Sequence, residues 1–160
     1  MTRRTAALLA ALALIPLAAF QMLRDRTPLL DRDSLGAAEA AWSTNGAKSY
    51  DLTLRITGDG GVDEQYRVAV RDGTARALVR IDGPATSSNE PGAYSVTGLF
   101  EVMRQDIDLK ERAGGESLTL KAHLDPHRGT PLVYKRLQRG QSRIIAIERL
   151  ESVSPSAPVP

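Results

Sequence analysis

The sequence contains no cysteine, and this absence removes several classes of function at once. Thiol nucleophiles, thiolate metal sites and disulfide frameworks all need that side chain. A lipid-bearing cysteine after an export signal is excluded for the same reason. We therefore expect a fold that depends on its apolar core.

Histidine and aromatic residues are also scarce. The chain has two histidines, and its one tryptophan, two phenylalanines and four tyrosines make up 4% of the sequence. So few rings argue against the stacking platforms that bind single-stranded nucleic acid. Two imidazoles leave few bases to activate a hydroxyl nucleophile, and no GxSxG, Walker, HExxH or CxxC motif is present. We expect a protein that is not an enzyme and has no cofactor.

What the chain does have is a long uncharged run near its N-terminus, residues 6–23, which follows two arginines. An export signal has an apolar core of about 7–15 residues, whereas a membrane span needs about 17–25. No good cleavage site is present, because Leu17 or Pro16 would stand where a small residue is required. We predict that residues 1–26 form an uncleaved anchor that enters the membrane through residues 6–23. A cleaved signal remains the alternative.

The net charge of +2 is concentrated in this N-terminal segment. Without residues 1–26 the chain keeps 17 basic and 18 acidic residues. The exported part is therefore close to neutral, and we expect no nucleic acid among its partners. Residues 126–151 are locally basic, with 6 basic and 2 acidic side chains. This pattern fits a solvated hairpin, or alternatively a face for anionic headgroups or an acidic partner.

Residues 31–152 have the length of one domain. The stretch "RDSLGAAEAAWSTNG" has helical spacing, with Asp33 or Ser34 as its N-cap and Asn45-Gly46 closing it in left-handed geometry. Three alternating strands follow, then a second amphipathic helix from about Tyr94, capped by Ser95 or Thr97, and three more strands. Residues 153–160 are Pro-rich, and we predict a disordered tail.

This order predicts an α+β fold, in which about six antiparallel strands form one sheet and two helices pack on one of its faces. An N-terminal membrane-spanning or signal helix precedes the domain. Trp42, Tyr50, Tyr66 and Phe100 all fit inward-facing positions.

Both histidines lie in "KAHLDPHRGTPLVY", where His123, Asp125 and His127 stand two residues apart. On a continuous strand the three side chains would share one face and form an acceptable zinc ligand set. The intervening residues favour a turn instead, because Asp-Pro initiates turns, glycine accepts a positive φ and proline lacks a backbone donor. The predicted turn consists of Asp125, Pro126, Gly129 and Pro131.

Two tyrosines and two aspartates are the remaining candidate positions. Tyr94 and Tyr134 flank a polar loop and the last hairpin, and we take them as candidates for an exposed contact. Asp106 and Asp108 lie two apart on the second helix, so they point in different directions and we interpret them as a solvated helix end rather than a two-carboxylate site.

The motifs "SYDLTL", "YRVAVRDG", "SVTGLFEVM" and "LDPHRGTP", in this order over residues 34–152, resemble a family of small exported bacterial proteins catalogued as a domain of unknown function. The resemblance implies that Asp125, Pro126, Gly129 and Pro131 recur in that family. It also implies export, and many members are lipoproteins. Since this chain lacks the lipidated cysteine, we expect its apolar segment to act as the tether. The resemblance implies no activity.

We therefore expect a membrane-tethered domain on the periplasmic side of the bacterial inner membrane that binds a protein or an envelope component. Cleavage of the leader would instead make it secreted or periplasmic. Two other functions remain open. One is a small-ligand or lipid carrier with an apolar cleft, and the other is a metal-assisted enzyme that uses His123, Asp125 and His127.

Overall fold

The computed structural model describes residues 26–83, 91–112, 114 and 117–153. The expected anchor or signal, residues 6–23, and residues 154–160 of the expected tail lie outside the described residues. Within the described ranges, neither helix is both long enough and apolar enough to cross a membrane.

Helices and strands follow the predicted order. The elements are α1 (Arg32–Asn45), β1 (Tyr50–Gly58), β2 (Val62–Arg71), β3 (Thr74–Arg80), α2 (Val96–Arg112), β4 (Leu118–Leu124), β5 (Pro131–Gln138) and β6 (Gln141–Ser152). Two short 3₁₀ turns, Asp59–Gly61 and Pro91–Tyr94, lie between β1 and β2 and before α2.

All six strands form one sheet in the order β3-β2-β1-β6-β5-β4, and every neighbouring pair is antiparallel. The predicted α+β class is confirmed. The two hairpin-rich halves join through β1 and β6, which are far apart in the sequence and lie side by side at the centre of the sheet. A register shift after Thr53 marks an irregularity in this central pair, and such shifts bend and twist a sheet.

The core lies between the two helices and one face of the sheet. In β1 the burial alternates as predicted, because Tyr50, Leu52, Leu54 and Ile56 are buried. The helices add Leu35, Ala38, Trp42, Val96, Leu99, Phe100, Met103 and Ile107. Burial of these side chains removes apolar surface from water and is the main stabilising contribution available to a chain without disulfides.

The two ends of α1 differ from the predicted caps. Asp31 is the N-cap rather than Asp33 or Ser34, and it forms a capping box in which its carboxylate accepts from the Ser34 backbone N–H. At the C-terminal end, Gly46 is extended rather than left-handed, with φ −73° and ψ 147°. Glycine is nevertheless needed there, since a Cβ would approach the Trp42 carbonyl oxygen to 2.4 Å.

Of the two predicted caps of α2, Ser95 directly precedes the helix, and its hydroxyl accepts a hydrogen bond from the Gly98 backbone N–H at 3.1 Å. The hydroxyl of Tyr50 accepts from the Val96 backbone N–H at 3.1 Å. A buried strand residue therefore satisfies another unpaired donor of the helix N-terminus and fixes where α2 begins on the sheet.

Candidate functional site

The stretch with both histidines runs from β4 through a tight turn into β5. The Asp125 carboxylate accepts from the backbone N–H groups of His127 and Arg128, at 2.8 Å and 2.9 Å. These N–H groups, with that of Arg128 contributing most, hold the pKa of Asp125 below its usual value. The Gly129 N–H donates to the Asp125 carbonyl oxygen at 2.7 Å and closes the turn.

This turn packs on α1. Gly129 has φ +75°, and a Cβ built there would lie 1.9 Å from the Ala38 carbonyl oxygen and 2.9 Å from the Trp42 nitrogen. The Asn45 side-chain amide donates to the His127 carbonyl oxygen at 2.8 Å. Only glycine allows this approach of two backbones. Asp125, Pro126, Gly129 and Pro131 therefore belong to a docking turn, which we define as residues 125–131.

The two imidazoles are separated by this geometry. His123 is the exposed side chain opposite Val133 on the outward face of the β4–β5 pair, whereas His127 is exposed in the docking turn. The carboxylate between them already accepts two backbone hydrogen bonds. Among the described residues, no group of three or more His, Asp or Glu side chains is placed to hold a metal ion.

Tyr134 is buried rather than exposed, so the prediction of an exposed contact at this position is wrong. Its side of β5 faces α2, and the residue is 3% exposed. The hydroxyl donates to the Asp106 carboxylate at 2.6 Å. Burial first, and this hydrogen bond second, raise the pKa of Tyr134 well above its usual range.

Asp106 also differs from its prediction as part of a solvated helix end. Its side chain is only 14% exposed and also accepts from the Arg136 guanidinium at 2.9 Å. Asp108 instead pairs with Arg32 on α1 at 2.7 Å. The sequence carried a signal, because Asp106 lies three residues after Met103 and beside Ile107, at the edge of the apolar stripe of α2.

Tyr94, the other candidate contact, is half-buried. Its ring stacks on that of Tyr66 with centroids 5.3 Å apart and planes inclined by 30°. The Tyr66 hydroxyl donates to Glu64 at 2.9 Å. The ring pair joins the segment before α2 to the sheet, and the remaining surface of Tyr94 stays available.

An open groove of about 400 Å³ lies where the β1–β2 and β5–β6 hairpins meet. We call it the hairpin groove. Its lining combines aliphatic, polar and charged residues, namely Ile56, Thr57, Gly58, Asp59, Val62, Glu64, Arg136, Gln141, Ser142 and Arg143. Sequence reasoning missed this groove, because its two sides come from parts of the chain about eighty residues apart.

The face of the sheet opposite the helices carries mostly polar and charged side chains. Arg55 forms two hydrogen bonds of 2.6 Å with Asp63 across β1 and β2, and Arg149 pairs with Glu151 on β6. Val79, on β3, is 37% exposed beside Arg67. We call this surface the open face. Because apolar and polar residues alternate in β1, the apolar side chains enter the core and the polar ones lie on the open face.

No protein-family model matches the chain, and no curated protein matches it. Among solved structures, it is similar to a chain of the Pseudomonas aeruginosa MucA/MucB complex, with a TM-score of 0.49 and 15% sequence identity. The match covers 78% of this chain and 59% of that chain. No functional argument follows from a similarity at this level.

Proposed function

We propose that this protein is a non-enzymatic, membrane-tethered domain on the outer side of a bacterial inner membrane, where it binds a protein or an envelope component. The observation that carries the proposal is that the candidate reactive carboxylates form structural hydrogen bonds. Asp125 holds the docking turn, and Asp106 joins α2 to β5. The open face and the hairpin groove are left as the surfaces that a partner can contact.

The tether is supported by the sequence before the domain and by where the chain enters the sheet. Residues 28–30 run along the edge of β4, where Leu30 N–H donates to the Leu120 carbonyl oxygen at 2.9 Å and Ala122 N–H donates to that of Pro28 at 3.0 Å. The uncharged run of residues 6–23 ends only a few residues earlier. An anchor there would hold the β4 edge close to the membrane.

The intact mass of the protein isolated from its own cells tests the tether. We expect the full-length mass and recovery in the membrane fraction. Loss of about 20 residues, the size of a cleaved leader, would instead place a free domain in the periplasm or outside the cell.

Photo-crosslinking in living cells tests partner binding. A photoreactive phenylalanine analogue would replace Val79 on the open face, Val62 in the hairpin groove or Leu109 on α2, which are 37%, 44% and 40% exposed. We expect one discrete protein adduct from a sheet position and none from Leu109, the matched control. The same weak pattern from all three positions would contradict the proposal.

A small-ligand or lipid carrier is the second candidate, and the hairpin groove favours it. Its volume of about 400 Å³ lies within the range of small-ligand sites. The groove is open and its lining is partly charged, however, which suits a polar ligand better than an acyl chain. Solvent extraction of protein purified from its own cells, followed by mass spectrometry, would identify a bound small molecule.

We also propose that the chain belongs to the uncharacterised exported family that it resembles. The docking turn supports this, because the close contact between Gly129 and α1 explains why the motif "LDPHRGTP" needs a glycine at this position. A solved member of that family is expected to have the same turn against its first helix. A member whose equivalent glycine lies in solvent would contradict the assignment.

A further inference from the structure

Two arginines stand directly opposite each other in the hairpin groove. Arg136 on β5 pairs in register with Arg143 on β6, and both line the groove. Like charges at opposed positions of an antiparallel pair destabilise it unless something compensates them. Arg136 is compensated, because its guanidinium donates to Asp106 at 2.9 Å and to the Gln138 side chain at 2.7 Å.

Arg143 is different. Its exposed side chain forms no ion pair with the described part of the chain. The acidic groups of the groove are already engaged by other donors. Glu64 accepts from Arg80 at 3.1 Å and from the Tyr66 hydroxyl, and Asp59 accepts from the backbone N–H and hydroxyl of Ser142.

An apolar contact lies in the same groove. Val62 is 44% exposed at the start of β2, and Ile56 forms part of the buried floor. Arg143 and Val62 line the same groove on either side of Gly58, and a guanidinium with an exposed aliphatic side chain matches a ligand segment that presents both a carboxylate and an apolar group. The guanidinium can bind both oxygens of a carboxylate in its plane, which gives orientation as well as attraction.

We infer that the hairpin groove binds an acidic, apolar segment of a partner polypeptide, with a carboxylate on Arg143 and an apolar side chain on Val62. This inference rests on the proposed function and specifies its partner. A polypeptide fits better than a lipid because charged side chains of both signs line the groove, whereas an acyl chain needs a longer apolar channel. Mixed polar and apolar contacts are typical of protein interfaces.

A peptide titration tests the inference on the full chain in a non-ionic detergent. The probes are two N-terminally fluorescein-labelled, C-terminally amidated peptides, LELEV and its LQLQV counterpart, whose side chains alone differ in carboxylates, and binding is followed by fluorescence anisotropy. We expect LELEV to bind about tenfold more tightly than LQLQV, the loss that one charge-assisted contact produces. Binding of LELEV should weaken as NaCl is raised to about 0.5 M, because salt screens charge attraction.

Two variants locate the contact. Arg143→Gln should weaken LELEV binding about tenfold, to the level of LQLQV. Arg149→Gln is the matched control, since it removes an arginine from the same strand on the open face and should leave Kd unchanged. Equal thermal midpoints for the two variants would exclude a folding effect, and the comparison of the two peptides on the unaltered protein needs no variant.

Equal affinity for LELEV and LQLQV, or equal Kd values for the two variants, would overturn the inference. Arg143-dependent binding of dodecanoate without binding of LELEV would also overturn it in favour of a lipid. Failure of the groove assignment alone can be distinguished from failure of the proposed function. If crosslinking from Val79 captures a protein while Val62 captures none and neither peptide binds, the partner-binding function stands and only the assignment of the groove fails.

Discussion

At the scale of single residues, Gly129 shows how one position ties a sequence motif to the fold. Its positive φ is one requirement, and the carbonyl of Ala38 directly against it is another. Gly140 meets only the first, since it has φ +79° with nothing within 4 Å of a built Cβ. Substitution at Gly140 therefore measures the cost of a positive φ alone, whereas substitution at Gly129 adds the steric clash with α1.

Replacing Gly129 by alanine should lower the free energy of unfolding by about 3 kcal/mol or more, because α1 or the docking turn must move. Gly140→Ala, the control, should cost only about 1 kcal/mol from left-handed strain. Urea denaturation followed by circular dichroism measures both. Equal losses in the two variants would mean that the turn does not pack on α1.

The buried hydroxyl of Tyr134 makes a second residue-scale prediction. Tyr134→Phe keeps the ring and removes the hydrogen bond of 2.6 Å to Asp106. We expect a loss of about 1–2 kcal/mol in the free energy of unfolding, since a half-buried carboxylate loses a donor. Tyr94→Phe is the matched control. It also removes one tyrosine hydroxyl, but it keeps the ring stack on Tyr66 and alters no hydrogen bond of Asp106.

The same hydroxyl predicts how stability depends on alkaline pH. The folded protein raises the pKa of Tyr134 above its ordinary value of 10.0, so the unfolded chain loses this proton first as the pH rises. The protonated Tyr134 hydroxyl therefore contributes fully to the free energy of unfolding below pH 10, and this contribution declines above pH 10. Unfolding free energies measured between about pH 8 and 11 should fall more steeply in the unaltered protein than in Tyr134→Phe. Parallel curves would contradict the assignment.

Residue roles were readable from the sequence where a local rule applied. Asp125 initiates a turn and Ser95 caps α2, as their local motifs indicate. Tyr134 and Asp106 were misjudged because their environment is set by a long-range contact between α2 and β5. Nothing near either residue in the sequence indicates the other one.

At the scale of elements, α1 is attached to the rest of the domain by two kinds of contact. Leu35, Ala38 and Trp42 enter the core, and the Trp42 ring meets Tyr50 edge-on with centroids 5.5 Å apart. On the surface, Arg32 bridges to Glu111 of α2 at 2.7 Å. The two contributions are expected to differ strongly in size, because exposed ion pairs contribute little and buried side chains contribute much.

Leu35→Ala should therefore lower the free energy of unfolding by about 2–5 kcal/mol. Arg32→Gln, on the same helix, should leave the unfolding midpoint almost unchanged, and about 0.5 M NaCl should have as little effect on the unaltered protein. Thermal denaturation measures each change. If Arg32→Gln destabilised the protein as much as Leu35→Ala, the ion pairs of Arg32 would hold α1 as strongly as its buried side chains do, which would contradict this prediction.

The order and type of the elements could be predicted because the period of the apolar residues changes at each boundary. The period is two in β1 and close to 3.6 in α2. The helix caps were less predictable, and the N-cap of α1 lies two residues before the first candidate. The order of the strands was not predictable, since pairing of β1 with β6 depends on packing of the whole chain.

At the scale of the whole molecule, the sheet is covered on one face by the helices and left open on the other. The hairpin groove lies on the covered side, next to the contact between Arg136 and Asp106 of α2, and Arg143 and Val62 remain accessible there. The chain enters at the β4 edge, while the groove involves the central strands and their neighbours. The tether that we propose would leave both surfaces available to a partner.

The central claim is that the protein works by binding another polypeptide. Native mass spectrometry of the full chain, extracted in mild detergent from the cells that make it, tests this most directly. We predict a complex that contains one further polypeptide and that dissociates at high salt. A chain found alone, or one that carries only a small molecule, would contradict the claim.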